Sequence, residues 1–258
     1  MVAAQAQRKT FNLNTHTARL LMDEPFFAAI SRRIDKTLSY SIPTAGVRVN
    51  PNTAQFEMLY NPDFFEPLTD AERADVLKHE YYHIVFLHVT DRMPEGAMTK
   101  AWNVATDLAI NSHLHNLPEG GLIPGKEGTP FENLPSGKSA EWYLANLPED
   151  LFGEGSNCGG DGGKGDGDKS GKGDSGGGSE GQGENPGEGG QGSSGSGGGG
   201  IETLDDHSGW GDVPDDVKEI AKERLKDIIK KAAEEASKAS GWGTVPASCR
   251  DKIMKGLQ

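Results

Sequence analysis

The sequence is short of three things, and each shortage excludes a class of protein. It has two cysteines, Cys158 and Cys249, too few for a disulfide framework, which favours a reducing, cytoplasmic setting. It has no run of about 18 apolar residues, so no membrane-spanning helix is predicted, and no apolar segment of a secretion signal. Basic residues number 26 against 39 acidic ones, a net charge of −13, which argues against nucleic acid as a partner.

Glycine, in contrast, is abundant and concentrated in one stretch. Most of the 36 glycines lie between residues 153 and 200, among serine, lysine and acidic residues. Such a stretch has almost nothing apolar to bury, so it cannot offset the entropy lost on ordering. We predict a globular domain over residues 1–152, a disordered linker over 153–200 and a C-terminal helical segment over 201–258.

The first sixty residues show two hydrophobic periodicities. Apolar residues recur at helical spacing across His16–Leu38, which predicts one amphipathic helix. Apolar residues alternate at Val47–Val49 and at Phe56–Tyr60, and the turn residues Asn50–Asn52 lie between them. This pattern predicts two antiparallel strands. A helix and paired strands in one domain indicate the α+β class.

A capping box opens the most informative helix. Thr69 stands three residues before Glu72, so each side chain can satisfy the other's backbone N–H. We predict a helix from about Asp70 to Val89, whose second half is apolar nearly all round and therefore buried. Three further helices are predicted, over Lys100–Leu114, Ser139–Leu147 and Asp215–Ala239.

The buried half of that helix contains His79-Glu80-Tyr81-Tyr82-His83. The two histidines are four residues apart, hence on one face, and both can reach a zinc ion at about 2.0–2.1 Å. Glu80 lies about 100° round the helix, where it suits a general base acting on water better than a ligand. The alternative is a chance pentapeptide. Buried His and Glu, however, cost free energy unless something pairs them.

A catalytic zinc needs a third protein ligand and one open position. Asp107 is the best candidate, because Asn103, Asp107 and Asn111 form a polar stripe at intervals of four on an otherwise apolar helix. Asp107 on the metal, with Asn111 or Asn103 holding the second nitrogen of a ligand histidine, would give this stripe partners. The alternative is a set of capping or inter-helix hydrogen bonds.

Four other histidines stay open as alternatives. His88 falls about 140° further round the helix than the second motif histidine, which favours a core position or a contact behind the ligands. His113 and His115 are candidates for a further ligand or an oxyanion donor, or are polar residues at a helix end. His207 lies beyond the linker in an Asp-Asp-His sequence and can fold back over the cleft.

Two motifs together resemble a family of HExxH metallopeptidase domains: His79-Glu80-x-x-His83, followed by His88, and Trp102-Asn103-x-Ala105-x-Asp107-x-x-Ile110-Asn111. In that family the domain usually precedes a von Willebrand factor A-like domain, in bacterial and phage proteins linked to AAA+ ATPases of the MoxR type. The likeness covers about residues 15–150 and continues at Asp206–Trp210 and Gly243–Pro246. It implies a zincin-like fold with His79, His83 and Asp107 on zinc.

The resemblance also implies partners and a setting. An AAA+ ATPase or an A-like protein is the expected partner, in the cytoplasm, which is the host's if the chain is phage-encoded. The chain ends at Gln258, where the A-like domain would begin, so we expect a truncated or a stand-alone form.

Sequence and resemblance lead to one interpretation and its rivals. We predict a zinc-dependent endopeptidase with Glu80 as general base and a peptide or protein as substrate, without nucleic-acid or membrane partners. The strand at Phe56–Tyr60 is expected to be the sheet edge beside the cleft, where an extended peptide can pair. The main rival is a catalytically silent zinc-binding adaptor, which a closed site of four protein ligands would indicate. A second rival interpretation is a metallohydrolase that acts on a non-peptide amide.

Overall fold

The computed structural model describes residues 10–90, 94, 99–148, 151–152, 203, 205, 207, 213–239 and 241–256. The predicted linker at 153–200 and Cys158 lie outside these residues, so the boundaries of the three predicted parts stay a prediction. The described residues form a mixed α/β structure with one three-stranded sheet. None of the helices in this part of the chain combines the length and apolar character that a membrane crossing needs.

The region predicted as one helix over His16–Leu38 folds as two helices and a strand. Helix α1 spans Leu13–Leu20, helix α2 spans Pro25–Ser31, and strand β1 spans Asp35–Leu38. The single-helix prediction was wrong because proline cannot donate the N–H that a helix interior needs and disfavours helical backbone at the residue before it. At the first position of a new helix the same proline is well tolerated, so α2 begins there.

The sheet confirms the predicted strand pair but corrects its position. Strand β2 (Ala45–Val49) pairs antiparallel with β3 (Phe56–Tyr60), with Val47 opposite Met58. Strand β1 pairs in parallel with the other side of β3, so the order is β1-β3-β2. The expectation that β3 is an edge strand was wrong, because neighbours in sequence do not reveal which strand a third one joins. The edge that contacts the motif helix is β2.

After the short helix α3 (Pro62–Phe65), helix α4 spans Asp70–Val85 and begins as predicted. Glu72 N donates to Thr69 Oγ1 at 3.3 Å, and Thr69 N donates to Glu72 Oε2 at 2.8 Å, which completes the capping box. The helix ends four residues before the predicted Val89. Its second half is buried, as the all-round apolar pattern predicted.

The remaining helices pack in two places. Helices α5 (Thr99–Asn111) and α6 (Ala140–Asn146) contact each other and form a separate hydrophobic cluster. Helix α7 (Asp215–Lys238) packs on α2 and joins the main core, and α8 (Ala247–Gly256) follows. The C-terminal elements therefore share a core with the sheet and with α4.

Candidate metal centre

The structure brings the three predicted metal ligands together between α4 and α5. The Nε2 atoms of His79 and His83 lie 2.9 Å apart. Asp107 Oδ1 is 3.8 Å from the first of these nitrogens and 3.4 Å from the second. All three side chains are buried. A helix that carries two histidines one turn apart thus faces a helix that carries the carboxylate.

A fourth donor comes from Asp205, which the sequence analysis did not propose. Its Oδ2 is 3.3 Å from His79 Nε2 and 3.2 Å from His83 Nε2. One donor atom each from His79, His83, Asp107 and Asp205 lies within 4.8 Å of the others. The backbone of Asp205 forms an isolated parallel bridge with Ala45 of β2. The only sequence signal was its place two residues before the histidine that was considered able to fold back over the cleft.

That histidine, His207, does lie at the cluster. Its Nε2 is 2.5 Å from Asp205 Oδ2 and 3.6 Å from Asp107 Oδ1. Its ring centroid is 4.9 Å from that of His83, and the side chain is buried. The sequence beyond position 200 therefore adds two side chains to a centre whose other members lie before residue 112.

The donor set fits a tetrahedral divalent metal such as zinc. Zinc binds imidazole nitrogen and carboxylate oxygen at about 2.0–2.2 Å, so neighbouring ligand atoms in a tetrahedron are about 3.3–3.6 Å apart. The separations between donor atoms that include a histidine nitrogen run from 2.9 to 3.8 Å and bracket that range. The residues therefore form a buried metal-binding cluster.

Asn111 holds His79 in the orientation that a ligand needs. The Asn111 amide nitrogen donates to the backbone oxygen of Leu122 at 2.8 Å, which leaves its Oδ1 facing His79 Nδ1 at 2.7 Å. An amide oxygen only accepts, so Nδ1 carries a proton, and Nε2 is the nitrogen that faces the cluster. Asn103, the other candidate, keeps a buried Oδ1 that accepts no hydrogen bond from the described residues.

The turn that ends α4 brings His88 into contact with one of the two ligand histidines. Leu87 has a φ of 63°, its N–H donates to Ile84 O at 3.0 Å, and the N–H of His88 donates to His83 O at 3.0 Å. This pair of backbone hydrogen bonds is a Schellman motif, and it places His88 Nδ1 3.2 Å from His83 Nδ1. The sequence analysis favoured a core position or a contact behind the ligands for His88 on the assumption that the helix continues, whereas the helix ends earlier and this turn makes the contact with His83. Left-handed backbone at a residue with a Cβ costs about 1–2 kcal/mol.

Burial and charge leave the cluster short of positive charge. Burial lowers the pKa of His83 to about 3, so this imidazole is neutral. Burial, together with the negative charges of Asp205 and Glu80, raises the pKa of Asp107 well above its usual range. Burial would also raise the pKa of Asp205, but His207 and His79 outweigh it and hold that pKa well below its usual range. A divalent cation would offset this concentration of buried carboxylates.

Glu80 lies beside the cluster without being one of its four donors. Its side chain is 1% exposed, and its charge acts on Asp107. Two of the alternative histidines lie elsewhere: His113 Nε2 is 3.5 Å from Cys249 Sγ, and His115 is exposed. Glu80 is thus buried next to the cluster, whereas these two histidines are not part of it.

The comparison with known proteins gives one match. A family model described as "putative metallopeptidase domain" matches residues 8–255. No curated protein and no solved structure matches the chain. The matched range includes the helices α4 and α5 and also Asp205 and His207, so it covers both contributions to the metal centre.

Proposed function

The chain belongs to this metallopeptidase domain family, and we propose that it is a zinc-dependent endopeptidase with a zincin-like fold. In this proposal His79, His83 and Asp107 hold the zinc, and Glu80 is the general base. The observation that supports it most is the convergence of three donor atoms from α4 and α5, all within 3.8 Å of one another, with Glu80 buried beside them.

His79, His83 and Asp107 would hold the zinc, which when bound would supply Lewis acidity to water and to a peptide carbonyl. Glu80 accepts the proton of the attacking water and returns it to the leaving nitrogen. Asn111 and His88 contact the ligand histidines on the nitrogens that face away from the cluster, so they keep the imidazoles oriented. Burial of the centre keeps bulk water away from these groups.

The second candidate function is a catalytically silent zinc-binding adaptor, which acts in an AAA+ ATPase or phage-related assembly. Asp205 favours it, because a site with four protein donors is closed, as structural zinc sites are. A catalytic site keeps one position open for water or substrate. The two candidates therefore differ in whether the fourth position can open.

The test is metal content and proteolysis of wild type, His83→Ala and Glu80→Gln, with the exposed Glu119→Gln as matched control. We expect one zinc per chain by elemental analysis in all but His83→Ala. Wild type and the control should cleave casein or a peptide library. Glu80→Gln should be slower by about 10²–10⁴-fold, the usual contribution of a general base.

Three other results would change the conclusion. Cleavage that survives in Glu80→Gln would remove Glu80 from its role. Zinc retained without cleavage, also after Asp205→Ala, would support the adaptor. Wild-type protein without stoichiometric metal would contradict the metal centre itself.

A further inference from the structure

We propose that Asp205 is a built-in competitor of the substrate: its backbone takes the peptide's place on the edge of β2, and its carboxylate takes the open metal position. At any moment the folded enzyme is then active only in the fraction of molecules in which Asp205 has left the centre. This inference rests on the proposed peptidase function, and the experiment below separates the failure of one from that of the other.

The first supporting observation is the pairing at the sheet edge. On its inner side Ala45 pairs with Tyr60 of β3, and its other side carries the bridge to Asp205. Strand β2 is the edge strand that contacts α4, which carries the two ligand histidines. An extended peptide adds to such an edge through main-chain hydrogen bonds. The backbone of Asp205 therefore occupies a position on the sheet edge to which such a peptide would add.

The second observation is the position of the Asp205 carboxylate. Its Oδ2 lies 3.2–3.3 Å from both ligand nitrogens, closer than Asp107 Oδ1 at 3.4–3.8 Å. Two histidines and one carboxylate from the helices already provide the three protein ligands of a catalytic zinc. The fourth donor closes the position where water or substrate must enter. One residue thus blocks both the strand edge and the metal.

The third observation is how Asp205 is held. Its contact with β2 is an isolated bridge rather than a strand. Thr203 Oγ1 donates to its backbone oxygen at 3.0 Å, and His207 Nε2 lies 2.5 Å from its Oδ2. Both of these partners belong to the same short stretch of chain, so they can leave the centre together with Asp205. The other three donors stay on α4 and α5.

The experiment compares wild type, Asp205→Ala, the closer isostere Asp205→Asn, and the exposed Glu234→Ala as control. Each protein is loaded with Co²⁺ and titrated with acetohydroxamate, and binding is followed by the visible absorption of cobalt. Zinc content and casein cleavage are measured on the same preparations. Circular dichroism checks that each variant is folded.

We expect Asp205→Ala to keep one metal per chain and to bind acetohydroxamate at least about tenfold more tightly than wild type. The reason is that apparent affinity scales with the fraction of sites that are open. Casein cleavage should rise by a similar factor. Asp205→Asn should change in the same direction but less, and Glu234→Ala should match wild type.

Loss of metal from folded Asp205→Ala or Asp205→Asn would overturn the proposal, because Asp205 would then be a ligand that holds the ion. Unchanged hydroxamate affinity would overturn it as well. Tighter hydroxamate binding without cleavage by either protein would support the closure by Asp205 and contradict the peptidase function instead.

Discussion

The metal centre is built from two parts of the chain that hold their side chains in different ways. The helix-borne half consists of His79, His83 and Asp107, which are buried on two helices that pack against each other. The C-terminal half consists of Asp205 and His207, which lie outside the helices. Donors on rigid elements keep their mutual distances, whereas a residue on irregular backbone can exchange at lower cost. This contrast is what makes closure by Asp205 reversible.

The C-terminal segment is attached to the rest of the protein at a second place, away from Asp205. Thr244 N donates to Glu24 Oε2 at 2.8 Å, and Lys78 Nζ on α4 is 3.2 Å from Glu24 Oε1. The Trp242 ring stacks on Phe26 with centroids 4.8 Å apart. The C-terminal segment therefore has contacts with the rest of the protein that do not involve the metal centre.

The largest expected effect comes from Gly243→Ala, which disrupts those contacts. Gly243 has a φ of +65°, and a Cβ there would collide with Glu24 and with the backbone oxygen of Asp23. Overpacking costs about 1–3 kcal/mol in addition to the left-handed strain of about 1 kcal/mol. Urea unfolding should show the loss, while Gly128→Ala, at a φ of +73° with nothing nearby, should show the strain alone. Equal losses in the two variants would contradict the close contact at Glu24.

Asp75→Asn weakens the contact between α4 and the residues that follow α5. The Asp75 carboxylate lies 2.6 Å from Lys78 Nζ and accepts backbone N–H groups of Asn116 at 2.6 Å and His115 at 3.0 Å. Burial acts to raise its pKa, but these partners outweigh burial and lower it. We expect a loss of about 1.5–3 kcal/mol at neutral pH, as for hydrogen bonds to charged groups.

The pH dependence provides the control for Asp75→Asn. Because the pKa of the folded state is depressed, the stability from Asp75 is present above the unfolded pKa and disappears as the pH falls through the folded one. The difference between variant and wild type should therefore vanish in acid, as urea unfolding at several pH values will show. A difference that persists at acid pH would mean that shape rather than charge is responsible.

Asn111→Ala weakens the helix-borne half by releasing His79 Nδ1. Metal affinity should fall by about 10–100-fold, the usual effect of removing a partner behind a ligand. Asn103→Ala, two turns earlier on α5, is the matched control and should change the affinity little, because its Oδ1 accepts no hydrogen bond from the described residues. Chelator competition measures both. Equal losses would show that Asn103 supports the centre as well.

Much of the local structure follows from sequence patterns. The capping box at Thr69 and the alternation in β2 and β3 depend on neighbouring residues, and both predictions were confirmed. The predicted single helix over His16–Leu38 was wrong because the helical period of the apolar residues does not register the break that Pro25 imposes. The early end of α4 depends on left-handed backbone at Leu87. Glycine or asparagine usually occupies such a position, so a leucine there does not predict the end of a helix.

The site shows the same division. His79, Glu80 and His83 are four residues apart at most, so helix geometry alone places them on adjoining faces. Asp107 and Asn111 were inferred because a polar stripe on a buried helix needs partners, and the structure brings both to the centre. Asp205 had no such signal, since it lies on neither a predicted helix nor a predicted strand.

The sequence by itself determined His79, Glu80 and His83 and the helix α4 that carries all three. Helical periodicity acts within a few residues, so neighbouring residues are enough to reveal it. Only the tertiary structure decided that β3 is central and β2 is the edge at the site, and that the fourth donor is Asp205. Those arrangements depend on pairing between separate segments of the chain, such as β1 with β3 and Ala45 with Asp205. Packing and backbone pairing set such contacts, and no local pattern of residues records them.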